Sequence, residues 1–309
     1  MNNENEHIPV LLSEVITGLN IRDGKIYVDL TLGRGGHSKE ILKRIPHGHL
    51  YGFDQDPEAL IKSKEVLKTV GDNWTTIHAN FAEAAEKLES LGINKVDGIL
   101  MDLGVSSPQF DEADRGFSYR YDALLDMRMD PSSMRPTAYD IVNTFSLEAL
   151  TKIFRDYGEE KFAYSIAQNI IRGRAKKPIV TTNDLVEIIK HSKPDSELRK
   201  KGHPAKQTFQ ALRIAVNDEL NVLRVALEKC IPLLNSEGRI AVITFQSLED
   251  RIVKEVFKDS AVLIGDKRNP FQVEKEYRLV NRKVIVPSQE EVLQNRRSTS
   301  AKLRILERK

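Results

Sequence analysis

The feature that most restricts the fold is a rhythm in the first third of the chain. Short apolar runs suited to strands, Lys25–Leu30, His49–Phe53, Trp74–His78 and Val96–Leu103, alternate with stretches at helical spacing, Lys39–Ile45, Pro57–Val70 and Phe81–Leu91. Such alternation predicts a parallel sheet covered on both faces by helices. Pro57, just after Asp54-Gln55-Asp56, has the placement of a first-turn proline. The rhythm then stops. Residues 108–203 hold the helical stretches Thr137–Thr144, Leu147–Tyr157, Lys161–Arg174 and Asp184–His191, the last capped from Thr181-Thr182-Asn183. A long amphipathic helix follows, with Phe209, Leu212, Val216, Leu220, Leu223 and Leu227 on one side. Strands resume at Arg239–Phe245, Leu279–Val286 and Ser300–Leu306, and Ser247 reads as a helix cap with Asp250 at the reciprocal position. The prediction is a doubly wound, Rossmann-like α/β sheet of seven strands from residues 1–107 and 204–309, interrupted by an all-helical domain at 108–203.

Bulk properties exclude several classes. At 309 residues, with 40% hydrophobic and 30% charged side chains, the chain is neither disordered nor a single small domain. A net charge of +2 means that any nucleic-acid surface is a local patch. The single cysteine, Cys230, forbids an internal disulfide and reads as a small buried apolar residue, as expected in a reducing cytoplasm. The polar, acidic start Met1–Glu6 lacks the order of a signal peptide, and no apolar run approaches the ~20 residues that span a bilayer. Seven histidines and one cysteine show no zinc spacing, so no metal is expected.

The sharpest chemical signal joins the first strand to the first helix: Asp29-Leu30-Thr31-Leu32-Gly33-Arg34-Gly35-Gly36-His37-Ser38. Its glycines let the backbone turn tightly and approach a nucleotide-like ligand at the carboxyl ends of the strands. Asp54 ends the second strand, where an acid accepts hydrogen bonds from ribose hydroxyls. That pair suits NAD and S-adenosylmethionine alike. Two details lean away from NAD: Ser38 stands where a third glycine would fall, and Asp29 would repel a pyrophosphate but favour a sulfonium or amino group. Phe81 follows the third strand and is placed to pack on an adenine or in the core. Asp102 leaves the apolar run Ile99-Leu100-Met101 and needs a partner, plausibly ligand or substrate.

Basic residues gather outside this region. Arg172, Arg174, Lys176 and Lys177 form one group, and Arg199, Lys200, Lys201, His203 and Lys206 a second. Arg296, Arg297, Lys302, Arg304, Arg308 and Lys309 crowd the C-terminus. Clusters of this kind grip phosphate backbones, although charge runs are commonly just solvated. Arg115-Gly116-Phe117-Ser118-Tyr119-Arg120-Tyr121 interleaves aromatics with arginines, a composition suited to stacking bases.

Taken in order, the motifs HIPVLLSE (7–14), GRGGHS (33–38), DLGVSSPQ (102–109), RGFS (115–118), LDMRMD (125–130), YGEEKF (157–162), HPAK (203–206), TFQALRIAVN (208–217) and SLEDR (247–251) resemble the ribosomal RNA small-subunit methyltransferase H family across nearly the whole chain. The resemblance implies S-adenosylmethionine as cofactor, contacted by Gly35, Gly36, His37, Asp54, Phe81, Asp102 and Gln109. It implies as substrate the 4-amino group of a cytidine in 16S rRNA of the small subunit or its precursor. Two positions depart from the family pattern: Gln246 replaces a histidine before SLEDR, and Asn295–Ser300 lacks a proline and one arginine. Asp102 is the candidate catalytic residue, accepting the amine N–H proton. Two rivals remain open at this point: an NAD-dependent oxidoreductase on the same fold, and a non-catalytic RNA-binding ribosome-assembly factor. The intact glycine loop with Asp54 and Asp102 argues against the second.

Overall fold

The computed structural model describes residues 9–104, 115–261 and 275–309. The chain divides into two compact units, one from residues 1–104 with 220–309, the other from residues 105–219.

The first unit is built on α1 (Leu12–Leu19), β1 (Ile26–Asp29), α2 (Gly36–Leu42), β2 (His49–Asp54), α3 (Pro57–Leu67), β3 (Trp74–His78), α4 (Ala84–Ser90) and β4 (Val96–Asp102). After the second unit come β5 (Leu234–Thr244), a helix Ser247–Ala261, β6 (Tyr277–Leu279) and β7 (Lys302–Arg308). These strands form one seven-stranded sheet in the order β3-β2-β1-β4-β5-β7-β6. Strands β1 to β5 run parallel to one another, while β7 is antiparallel to both β5 and β6.

Alternation of side chains explains why both faces are covered. On one face Val28, Phe53, Ile99 and Met101 pack with Leu223, Leu227, Val253 and Phe257 from the later helices. On the other, Tyr27, Leu50, Leu100 and Ile243 pack with Val15, Ile41 and Leu60 from α1, α2 and α3. A central parallel strand buried on both faces needs a near-continuous apolar sequence, which β4 supplies. Gly98 within it is a packing requirement, because a Cβ there would fall 2.5 Å from the ring of the buried Tyr27. Cys230 is buried in this core, and burial pushes its thiol up to about 12.

The antiparallel end differs from the sequence expectation. The predicted strand Leu279–Val286 is only Tyr277–Leu279, with Ile285 rejoining Leu303 as an isolated bridge. The reason is Asn281. Its side-chain amide accepts from Ile305 N–H at 2.8 Å and donates to the Leu303 carbonyl at 3.0 Å, satisfying groups that strand backbone would otherwise pair. The last strand begins at Lys302, not Ser300, since Arg296–Ser300 turns as a 3-10 helix capped by Asn295.

The second unit contains the helices Ala138–Thr144, Leu147–Gly158, Ala163–Arg174, Thr182–His191 and Lys206–Asn217. Thr137 with Asp140, and Thr181 with Asp184, form complete capping boxes that satisfy the otherwise orphaned first-turn N–H groups. Its core gathers Leu150, Phe154, Ile166, Ile170, Leu185 and Ile189 with Phe209, Leu212 and Val216. Those last three explain why the compact unit runs on to Glu219, where the sequence pattern returns to the sheet at 204.

The long helix expected through residue 227 is two helices, Lys206–Asn217 and Glu219–Cys230. Asp218 breaks it in the left-handed conformation, φ 53°. Tertiary bonds hold the break. The Asn217 amide accepts from Met129 N–H at 2.8 Å and donates to the carbonyls of Met127 at 2.8 Å and Arg213 at 2.9 Å. Arg213 makes two 2.8 Å bonds to Glu219 across it. Replacing Asn217 with Ala strands two of these buried backbone groups, Met129 N–H and Met127 C=O. The expected loss is about 1–3 kcal/mol, read as a lowered denaturant midpoint; an unchanged midpoint would show that the amide does not hold the break.

Candidate active site

Three neighbouring strands end in a carboxylate: β1 in Asp29, β2 in Asp54 and β4 in Asp102. Strand β1 lies between β2 and β4, so the sheet's order reverses at its carboxyl end. Open α/β sheets bind ligands at that topological switch point.

Asp29 is used by the loop itself. One of its oxygens accepts from Thr31 N–H at 3.1 Å, and the other from Ser38 Oγ at 2.7 Å. The loop is thereby tied at both ends, and the residue in place of a third glycine has a structural task. Gly33 and Gly35 take positive φ, 51° and 77°. Among the described residues, a Cβ on Gly33 would meet only the Thr31 carbonyl at 3.8 Å, which leaves room there for a ligand. Gly36 begins α2 and has a different reason for being small: a Cβ there would lie 2.6 Å from Pro9.

Asp54 shapes the loop from the neighbouring strand. It accepts from Gly33 N–H at 2.8 Å and from Asp56 N–H at 2.9 Å. Burial pushes its pKa up to about 6 against those two bonds, which favour the ionised form. Beyond β3, Asn80 accepts from Ala82 N–H at 3.0 Å and donates to Gln55 at 2.9 Å, and the half-buried Phe81 packs against the core beside it.

Asp102 is the least compensated group. Its N–H donates to Thr31 Oγ1 at 2.6 Å, its Oδ2 lies 3.6 Å from His37 Nδ1, and its Oδ1 is covered without a hydrogen-bond partner among the described residues. Burial first, then the charges of Asp29 and Glu249, push its pKa up to about 8. Buried His37 is anchored through Nε2, 2.9 Å from the Val10 carbonyl.

The structure thus gathers Gly35, Gly36, His37, Asp54 and Asp102 with the loop, and sets Phe81 after β3. Gln109 lies outside the described residues. Sequence reasoning gave no role to Thr31 or Val10. The threonine between Asp29 and Gly33 was the only available signal, and nothing local marks a carbonyl 27 residues before the histidine it holds. The reciprocal cap of the helix Ser247–Ala261 is Glu249, not Asp250, accepting from Phe245 N–H at 2.9 Å and Gln246 N–H at 3.1 Å. Gln246 Oε1 is buried with no partner among the described residues. Asp250 instead binds Arg304 at 2.7 Å.

Three of the C-terminal cations have partners within the fold. Arg304 and Lys302 are held by Asp250, and Arg308 donates to the Leu234 carbonyl at 2.8 Å. Within residues 115–121, Arg115 donates to the carbonyls of Arg128 and Met129, and Phe117 is buried. Tyr119 stacks on His203 with centroids 4.3 Å apart. Tyr121 stays about half exposed. Among the described residues no His, Cys, Asp or Glu group could hold a metal, and no helix is long and apolar enough to cross a membrane.

This arrangement suits a cationic, ribose-bearing ligand better than a pyrophosphate, since three acids surround the loop. Comparison with known proteins agrees with a methyl-transfer site. Residues 4–309 match the model of the MraW methylase family. The ribosomal RNA small subunit methyltransferase H of Lactiplantibacillus plantarum is 53% identical over 98% of this chain and 97% of its own length. That of Exiguobacterium sibiricum is 52% identical over 98% of each. The chain belongs to the MraW methylase family.

Proposed function

We propose that this methylase transfers the methyl group of S-adenosylmethionine to the exocyclic N4 amine of a cytidine in 16S rRNA, within the small ribosomal subunit or its assembly precursor. The observation that carries the reading is the Asp102 carboxylate at the switch point, with one oxygen unpartnered among the described residues, beside the glycine loop. Relatives near 50% identity over their full lengths bear the name of a small-subunit rRNA methyltransferase, which supports the substrate class. The oxidoreductase and non-catalytic readings are not favoured by membership of a methylase family. With a ribosomal substrate, the work belongs in the cytoplasm.

S-Adenosylmethionine supplies, when bound, an electrophilic methyl group on a sulfonium that departs as a neutral thioether. The chain's own residues do the rest. Gly33, Gly35 and Gly36 leave backbone accessible to the donor, and the backbone of His37 continues that surface. Asp54 accepts ribose hydroxyls with the lone pairs that Gly33 and Asp56 leave, while Phe81 borders the adenine. The cytidine amine is a poor nucleophile because its lone pair is delocalised into the ring. Asp102 accepts an N–H of that amine, turns the lone pair toward the methyl group and takes the proton. Holding amine and methyl in line provides most of the acceleration. A paired cytidine must first leave its stack.

In the helical unit, Arg172, Lys176, Arg199 and Lys201 are exposed and make no ion pair among the described residues. They are the residues we assign to RNA phosphates. By contrast, Lys177 and Lys200 are paired with Asp184 and Glu197.

The deciding experiment transfers a labelled methyl group to purified small subunits and analyses the nucleosides. Label in N4-methylcytidine is expected; label in any other nucleoside refutes the assignment. Asp102→Asn at saturating donor should lower turnover roughly 10²–10⁴-fold, and full turnover would end the acid–base role. Donor affinity should fall as pH drops through about 6, where Asp54 takes up its proton and loses acceptor strength. Asp54→Asn should bind about tenfold more weakly and lose the part of the acid limb that sets in below about pH 6, as calorimetry would read. Neutralising the four exposed cations should flatten the salt dependence of RNA binding by up to about 0.7–0.9 for each phosphate that they cease to neutralise; an unaltered slope would mean that they only solvate the surface.

A further inference from the structure

His37 and Asp102 face each other across 3.6 Å with an arrangement that fixes where hydrogens can be. A carbonyl only accepts, so the Nε2 atom of His37, 2.9 Å from Val10 O, carries a hydrogen. The other ring nitrogen, Nδ1, is the one turned toward Asp102 Oδ2. In a neutral ring that nitrogen bears a lone pair, and a lone pair opposite a carboxylate oxygen is repulsive. One proton between them removes the conflict, on either the acid or the ring.

The surroundings sharpen the requirement. Among the described residues, the charged groups that face Asp102 from the packed elements are His37 on α2, Asp29 at the end of β1 and Glu249 on the helix Ser247–Ala261. Asp29 is already bonded to Thr31 and Ser38, and Glu249 to the N–H groups of Phe245 and Gln246. Both acids repel a charge on Asp102, and Oδ1 has no donor among the described residues. Among the described residues, the ionised form of Asp102 therefore has no counter-charge other than a protonated His37 until a cation arrives.

We propose that His37 and Asp102 hold one shared proton in the cofactor-free protein and release it to solvent when S-adenosylmethionine binds, its sulfonium replacing the proton as counter-charge. This rests on the function proposed above. The balance is simple: the protonated pair and the cationic donor give the loaded site and one proton in solution, with no covalent change to the donor. In the transfer itself the S–CH3 bond breaks, sulfur keeps the electron pair, the N–CH3 bond forms, and the N–H proton passes to Asp102. Loss of the sulfonium charge restores the affinity of the pair for that proton. Donor loading thus readies the base, and turnover recharges it. The raised pKa of Asp102, about 8, sets the window: near neutrality the pair is protonated, and well above pH 8 there is nothing left to expel.

The test is calorimetric titration of the full chain at pH 7 with S-adenosylmethionine in buffers of different ionisation enthalpy. The expected result is release approaching one proton per donor bound. S-Adenosylhomocysteine, neutral at sulfur, should release less than half as much. Donor affinity should rise by up to tenfold per pH unit between about 6 and 8 and level off above, because it follows the number of protons released. Asp102→Asn should bind without buffer dependence, and His37→Gln, which keeps a donor for the Val10 carbonyl, should change the amount released. Binding with no buffer dependence, or equal release by both ligands, overturns the inference and leaves donor binding standing. No binding of either ligand overturns the function on which it rests. The two-ligand comparison on the unaltered protein decides the matter even if a variant fails to fold.

Discussion

Everything in the site depends on one electrostatic constraint: acids placed at the ends of three adjacent strands, one buried and two half-buried. Coulomb repulsion between such groups is much stronger there than at the surface. The fold neutralises the conflict unevenly. Asp29 is satisfied by a hydroxyl and a backbone N–H, and Asp54 by two backbone N–H groups. Asp102 is left with a histidine at 3.6 Å and one oxygen that has no partner among the described residues. The first two therefore act as scaffolding that shapes the glycine loop, and the third retains its demand for a cation.

The same division separates architecture from chemistry along each strand. Residues one position apart on β1 and β4 belong to opposite cores, which locks the register of the sheet. A one-residue slip would carry Asp102 away from Thr31 Oγ1 and turn apolar side chains outward. Stability of the two apolar layers thus holds a poorly compensated carboxylate in place, as strained functional groups require.

Much of this was legible in the sequence because its cause is local. Apolar runs mark buried parallel strands, the glycine-rich turn marks a close backbone approach, and Asp54 stands at the expected distance beyond it. What escaped has its cause elsewhere in the chain. The apolar spacing from Phe209 to Leu227 continues smoothly through Asp218, yet Asn217 is anchored to Met127 and Met129, far back in sequence, and the helix breaks. Among the C-terminal basic residues, Arg304 is bonded to Asp250 on another element, a partner that the local sequence does not reveal. Asn281 likewise ends a strand by contacts to Leu303 and Ile305 that no window around it contains. The histidine's anchor at Val10 belongs with these cases.

The interruption at Asn281 also bears on how the sheet meets its surroundings. An edge strand normally presents a row of open N–H and C=O groups on which another chain can build. Here β6 offers only three residues before the backbone leaves the ladder, and a side-chain amide covers the next pair of groups on β7. A would-be added strand finds too short a template to register against, so this border of the sheet is blunted by the early end of β6 and by a side-chain amide in place of further backbone pairs.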